Sequence, residues 1–182
     1  MTRGGEGPKL ALPVGPRDHA EGPAGAPVTL VEYGDYECSH CGRAYPIVKA
    51  VQKRLGKRLR FVFRNFPLKE MHPHAEHAAE AAEAAGAQGK FWPMHDVLFE
   101  NQGALDDEDL LAYAAELGLD ARRTAAELAA HAQAARVRED FLSGVKSGVN
   151  GTPTFFLNGR RFDGSWDEED LVAAIEEEMK IS

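Results

Sequence analysis

The chain has 182 residues, 43% of them hydrophobic and 27% charged, which suits one well-buried domain or a small domain carrying an insertion. Its 29 acidic residues outnumber 21 basic ones, and the net charge of −8 argues against nucleic acid or an anionic membrane as a partner, since both need clustered Lys and Arg. Two cysteines exclude a disulfide framework and a four-cysteine zinc site. No apolar run approaches the roughly 18 residues of a spanning helix. The amino end lacks the apolar core of a secretory signal, so the sequence reads as cytoplasmic, with a periplasmic or extracytoplasmic place the alternative if its start is trimmed.

Residues 1–27 are rich in Gly and Pro without a period and read as an irregular arm, with the arm proper ending at residue 25. Val28–Gly34, "VTLVEYG", is a β-rich run bounded by turn residues and predicts a buried strand. After it, Ala44, Ile47, Val48, Val51 and Leu55 recur at helical spacing up to Gly56, with Pro46 expected to kink the helix. Leu59–Phe66 alternates as a second strand, which completes a right-handed βαβ unit with parallel strands.

From about Pro73 to Gly148 the pattern turns helical. In "HAEHAAEAAEAAG" the alanines 75, 78, 79, 82 and 85 share one face, with Glu76, Glu80 and Glu83 opposite. Further helices are expected at 91–101, 107–117, 121–133 and 135–147. The end returns to strand, helix and turn signals. Asn158-Gly159 is a type I′ hairpin dipeptide, and Ser165 with Glu168 forms a capping-box pattern before the Leu171, Val172, Ile175, Met179 stripe. The organisation expected is an arm at 1–25, a β/α domain from 26–67 and 149–182, and an inserted helical subdomain at 68–148.

Cys38 and Cys41, in "ECSHCG", are the only cysteines and sit between strand and helix. At a helix start, unpaired N–H groups and the positive end of the dipole favour a thiolate, and such surroundings lower a thiol pKa from near 8.5 to between roughly 3.5 and 7.5. His40 adds a donor and, when protonated, a positive charge. Two intervening residues let the sulfurs meet, with Cys38 as the exposed nucleophile and Cys41 as the buried resolving thiol. Two other readings stand beside this one: a pair of small buried hydrophobes, and half of a metal site completed by His72, His74 or His77. His95 reads as a satisfied helix histidine.

With "VEYGDYECSHCG", "HPHAEHAAEAAEAAGAQGKFWPMHDVLFENQ" and "GVNGTPTFFLNG" in this order, the sequence resembles the DsbA-like branch of the thioredoxin superfamily over roughly residues 26–180. The resemblance implies an α/β thioredoxin fold with a helical insertion domain and protein thiol–disulfide exchange through Cys38 and Cys41. It implies a cis bond before Pro153, with Thr152 facing the sulfurs and able to pair with a substrate strand. Glu32 matches a buried acid that moves protons at the second cysteine, and Pro46 matches the helix kink. Ser39 stands where the most oxidising members carry Pro, which leaves the direction of exchange undetermined. Phe66, Tyr36 and Trp92 are expected to contact substrate. The implied partners are thiol- or disulfide-containing proteins or peptides and a redox recycling partner, with no cofactor and no metal. The alternative is a non-catalytic metal-binding or redox-sensing module using the same CxxC. An isomerase or glutathione transferase on this scaffold would dispense with Cys41.

Overall fold

In the computed structural model, which describes residues 7–181, five strands make one sheet: β1 (His19–Glu21), β2 (Val28–Gly34), β3 (Leu59–Asn65), β4 (Thr154–Leu157) and β5 (Arg160–Phe162). Their order is β1-β3-β2-β4-β5, with β2 and β3 parallel and the other neighbours antiparallel. Helix α1 (Ser39–Leu55) supplies the crossover from β2 to β3, and a short 3₁₀ turn at Gly56–Arg58 closes it. Five helices lie between β3 and β4: α2 (Ala75–Ala87), α3 (Phe91–Glu100), α4 (Asp107–Glu116), α5 (Ala121–Ala129) and α6 (Ala134–Lys146). Helix α7 (Glu168–Ile181) ends the chain's described part.

The central strand β2 is buried on both faces, which is why it reads as a nearly continuous apolar run. Val28 and Leu30 face a large core with α1, α3 and α7, whereas Val31 and Tyr33 face a smaller one with Phe66, Val149 and Phe156. Residues Leu10, Val14 and Ala20 of the arm pack on that second core. The expected irregular arm is therefore corrected: it holds β1, paired to β3 with Ala20 opposite Val62. Three residues are too few to show a period, so the partner strand rather than the local pattern defines this one.

Two further expectations change. Helix α5 stops at Ala129 instead of running to 133, because His131 turns left-handed (φ 52°). Ser165 does not open α7; its Oγ accepts from Asp167 N at 3.2 Å, and the helix starts at Glu168 with Leu171 N bonded to Asp167 O at 2.8 Å. The hairpin turn has the expected chemistry, with Asn158 and Gly159 at φ 46° and 83°. On helix α2 only Glu76 of the three glutamates is partly exposed; Glu80 and Glu83 are buried like the alanines. Glu83 accepts from Asn65 Nδ2 and pairs with His19 Nε2, both at 2.8 Å. Alanine on one side lets neighbouring helices approach closely, and these partners satisfy the carboxylates on the other.

Candidate functional site

The loop Asp35–Cys38 carries the chain from the end of β2 into α1, and Cys38 is the N-cap of that helix with extended backbone (φ −71°, ψ 125°). Four neighbours hold the loop. Asp35 is buried; one carboxylate oxygen accepts from Glu37 N at 2.8 Å, the other from Leu68 N at 2.9 Å and His72 Nδ1 at 2.7 Å. Glu37 accepts from His74 N at 3.0 Å and His74 Nδ1 at 2.6 Å. Gln102 Nε2 donates to the carbonyls of Tyr36 (2.9 Å) and Cys38 (2.8 Å).

Both cysteines are free thiols. Cys38 is 4% exposed and Cys41 fully buried, which corrects the expectation of an exposed nucleophile; Cys38 is only the less buried of the two. The Cys38 Sγ–H donates to the carbonyl of Thr152 at 3.7 Å. The Thr152–Pro153 bond is cis, and this loop closes over the sulfur from the side of β4. Thr152 Oγ1 is buried with no hydrogen-bond partner other than the Cys38 sulfur, whose anion it favours.

The two thiols are electrostatically opposite. A hydrogen bond from Cys41 lowers the pKa of Cys38 to about 5; burial opposes this, while the Thr152 hydroxyl and the N–H groups of Cys41 and His40 add to it. The sulfur makes no full side-chain cap bond, yet those N–H groups lie close enough to favour the anion. Burial pushes Cys41 well above the ordinary thiol range, and its hydrogen bond to Cys38 and the charge of Glu32 push it further. Glu32 lies one strand-face away, between Phe63 and Phe155 on the neighbouring strands. Its own burial, then the charge of Cys38, lift its carboxyl to about 8, so it carries a proton at neutral pH.

Of the residues singled out in the sequence, Cys38, Cys41, Glu32, Thr152 and Pro153 converge here. Ser39 and His40 are exposed on the first turn of α1, and His40 reaches the sulfur through its backbone N–H. Helix α1 runs unbroken through Pro46. Tyr36 and Phe66 are core residues and do not offer a substrate surface. Tyr36 is bonded to His95 Nδ1 at 2.9 Å, and burial holds that imidazole neutral. Trp92 is half-buried against Phe61, Phe91 and His95. Asp35, Glu37 and Gln102 escaped the sequence reading. Two acidic residues just before a CxxC, with histidines 72 and 74 downstream, were their only trace. His72, a metal candidate whose imidazole feels the charge of Cys38, is held by Asp35. Burial works against its protonation, whereas the hydrogen bond to Asp35 and the charges of Asp35, Cys38 and Glu37 outweigh that and raise its pKa. Among the described residues no set of three metal-ligating side chains includes either cysteine.

A parallel β2–β3 pair flanked by antiparallel β4 and β5, with a dithiol at the start of the crossover helix, defines a thioredoxin-fold redox protein. A sequence model of the family described as thioredoxin matches residues 15–177, and the chain belongs to that family. Its architecture is that of the DsbA-like members. The thioredoxin-like oxidoreductase from Silicibacter pomeroyi DSS-3 superposes with a TM-score of 0.81 at 28% identity, covering 92% of this chain and 95% of that one. Wolbachia pipientis alpha-DsbA1 superposes with a TM-score of 0.79 at 18% identity, covering 94% and 95%, and shares the fold. The chain is also 52% identical over 167 residues to the Na(+)/H(+) antiporter NhaA 1 of Salinispora arenicola (strain CNS-205), a match of 91% of this chain and 26% of that protein. The chain thus spans about a quarter of the length of that relative. No helix among the described residues is long and apolar enough to cross a membrane.

Proposed function

We propose that the chain exchanges thiols and disulfides with protein or peptide substrates through a Cys38/Cys41 couple, and that it acts in the oxidising direction. The opposite shifts of the two thiols support this reading. A group ionised from about pH 5 stabilises the dithiol form at neutral pH, and a stabilised dithiol makes its disulfide a better oxidant.

In the oxidised enzyme a substrate thiolate attacks Sγ of Cys38. The Cys38–Cys41 bond breaks, and Cys41 leaves as a thiolate. Its high pKa demands a proton, and we assign that proton to Glu32, which is protonated at neutral pH. A second substrate thiolate then attacks the substrate sulfur of the mixed disulfide and releases the Cys38 thiolate. The substrate loses two electrons, and the enzyme gains them as a dithiol. A recycling partner must remove them, and the couple itself needs no cofactor. Thr152, bonded to the Cys38 sulfur through its carbonyl, and Pro153 would meet an extended substrate, and the exposed Ser39 and His40 would border it. In the antiporter relative we assign ion transport to the part this chain does not match.

Cys38→Ser is expected to abolish disulfide exchange, and Cys41→Ser to accumulate mixed disulfides visible on a non-reducing gel. Equal residual activity in the two variants would reject these roles. Equilibration in graded glutathione buffers, with free thiols counted, checks the direction: an oxidant remains largely reduced in buffers that leave structural disulfides intact.

A further inference from the structure

A second group of ligating side chains lies away from the dithiol, among the helices between β3 and β4. His77 and Glu80 are three residues apart on α2 and so share a face. His131, in the turn between α5 and α6, leans over them. The potential ligand atoms of the three all lie within 4.8 Å of one another, and the two imidazole rings are 5.3 Å apart. Glu80 is 1% exposed, and a carboxylate so buried needs a compensating positive charge. It meets the side chain of His131, whose Nδ1 stands 3.2 Å and 3.3 Å from the two oxygens. That is long for a charge-assisted hydrogen bond, which runs at about 2.7–2.9 Å. It matches the separation of about 3.3 Å between two ligands of a tetrahedral ion bonded at about 2.0–2.1 Å.

The backbone around His131 is equally specific. Ala132 N bonds to Glu127 O at 2.9 Å and His131 N to Leu128 O at 3.3 Å, the two bonds of a Schellman helix ending. The left-handed residue of that motif is ordinarily Gly; here it is His131 at φ 52°. On the other side, Asp107, the first residue of α4, accepts from His77 Nδ1 at 2.7 Å. A carboxylate on Nδ1 fixes the tautomer and leaves Nε2 as the free donor, which is the usual support behind a ligating histidine.

We infer that His77, Glu80 and His131 form a binding site for one divalent cation of the zinc type, with Asp107 as a positioning residue and water in the fourth place. Two imidazoles and one carboxylate are a recognised zinc donor set. The ion would join α2 to the α5–α6 turn and, through Asp107, to the start of α4.

The test uses the full chain carrying Cys38→Ser and Cys41→Ser, so that thiols cannot bind the metal, titrated with zinc chloride by calorimetry. One zinc per chain is expected. His77→Gln and His131→Asn should each weaken binding tenfold or more, and Asp107→Asn about tenfold, within the 10–100-fold range typical of a ligand's supporting partner. Asn tolerates the left-handed turn, and His131→Gly replaces it if circular dichroism shows a folding defect. Cobalt in the same protein should give ligand-field bands without thiolate charge transfer, and zinc should raise the melting temperature of the double-serine protein but not of its His131 variant. Absence of saturable zinc binding, or binding that is unchanged in both histidine variants, overturns the proposal.

Discussion

Thr152 is the residue at which the asymmetry between the two sulfurs can be tested without removing either. Its hydroxyl is buried with no settled partner and favours the Cys38 anion, as expected of a donor held in reserve for a thiolate. A hydrogen bond to a charged group contributes about 1.5–3 kcal/mol, and one pKa unit corresponds to about 1.4 kcal/mol. Thr152→Val should therefore raise the Cys38 midpoint from about 5 by about one to two units, read from the ultraviolet absorbance of the thiolate. An unchanged midpoint would leave the N–H groups and Cys41 as the donors. The sign of the linked stability follows from the same shift. The folded pKa lies below the ordinary value of 9.0, so this group stabilises the dithiol form fully above about pH 9 and progressively less as pH falls through about 5. Glu32 works oppositely: a carboxyl lifted from 4.5 to about 8 costs stability as pH rises across that interval.

At the scale of elements, α1 is aimed by contacts it does not itself contain. Gly42 gives Gln102 room to reach the carbonyls of Tyr36 and Cys38; a Cβ there would stand 2.0 Å from Gln102 Oε1. Gly42→Ala gains about 0.8–1 kcal/mol of helix propensity but displaces the amide and loses two hydrogen bonds of about 0.5–1.5 kcal/mol each. A small net loss of stability is expected, and because Gln102→Ala removes the same bonds, the double variant should melt no lower than the worse single one. Additive losses would show that Gly42 and Gln102 act independently. This pair also marks where sequence reading stops. Strands β2, β3 and β4, helix α1 and the hairpin turn declare themselves by period or by turn residues. Cys38 and Cys41 do so by spacing, and Glu32 and Pro153 through the family pattern. The clamps from Gln102, His72 and His74 join positions 30 or more residues apart; no local period encodes such meetings. Burial of Glu80 and Glu83 was hidden for a related reason, since an Ala/Glu helix looks amphipathic until partners for its acids are known.

Across the whole molecule, the segment from Pro8 to Asp18 crosses from one edge of the sheet to the other over the smaller core. Arg161 N donates to Pro8 O at 2.8 Å beside β5, and near β1 Asp18 grips Arg64 with two bonds of 2.8 and 2.9 Å. Arg64 has no exposed surface. Its remaining donors reach the carbonyls of Leu12 and Pro13 and the hydroxyl of Tyr33, so one buried guanidinium organises arm, β2 and β3 together. Burial alone would raise the Asp18 pKa, but the hydrogen bond and charge of Arg64 and the N–H of Gly15 bring it below the ordinary 3.8. Its stabilisation is therefore complete above that value and lost as pH falls through the lower folded pKa. Asp18→Ala leaves the guanidinium buried without its counter-charge, a change that costs about 3–5 kcal/mol, and it should free the arm for cleavage ahead of β2 in limited proteolysis. The same variant should lose part of the wild-type protein's acid sensitivity in thermal melts between pH 5 and 2, a window chosen to span the Asp18 titration. If the arm stays protected and the melting temperature is unchanged, the sheet holds together without this ion pair, and the second core must be closed by Leu10 and Val14 alone.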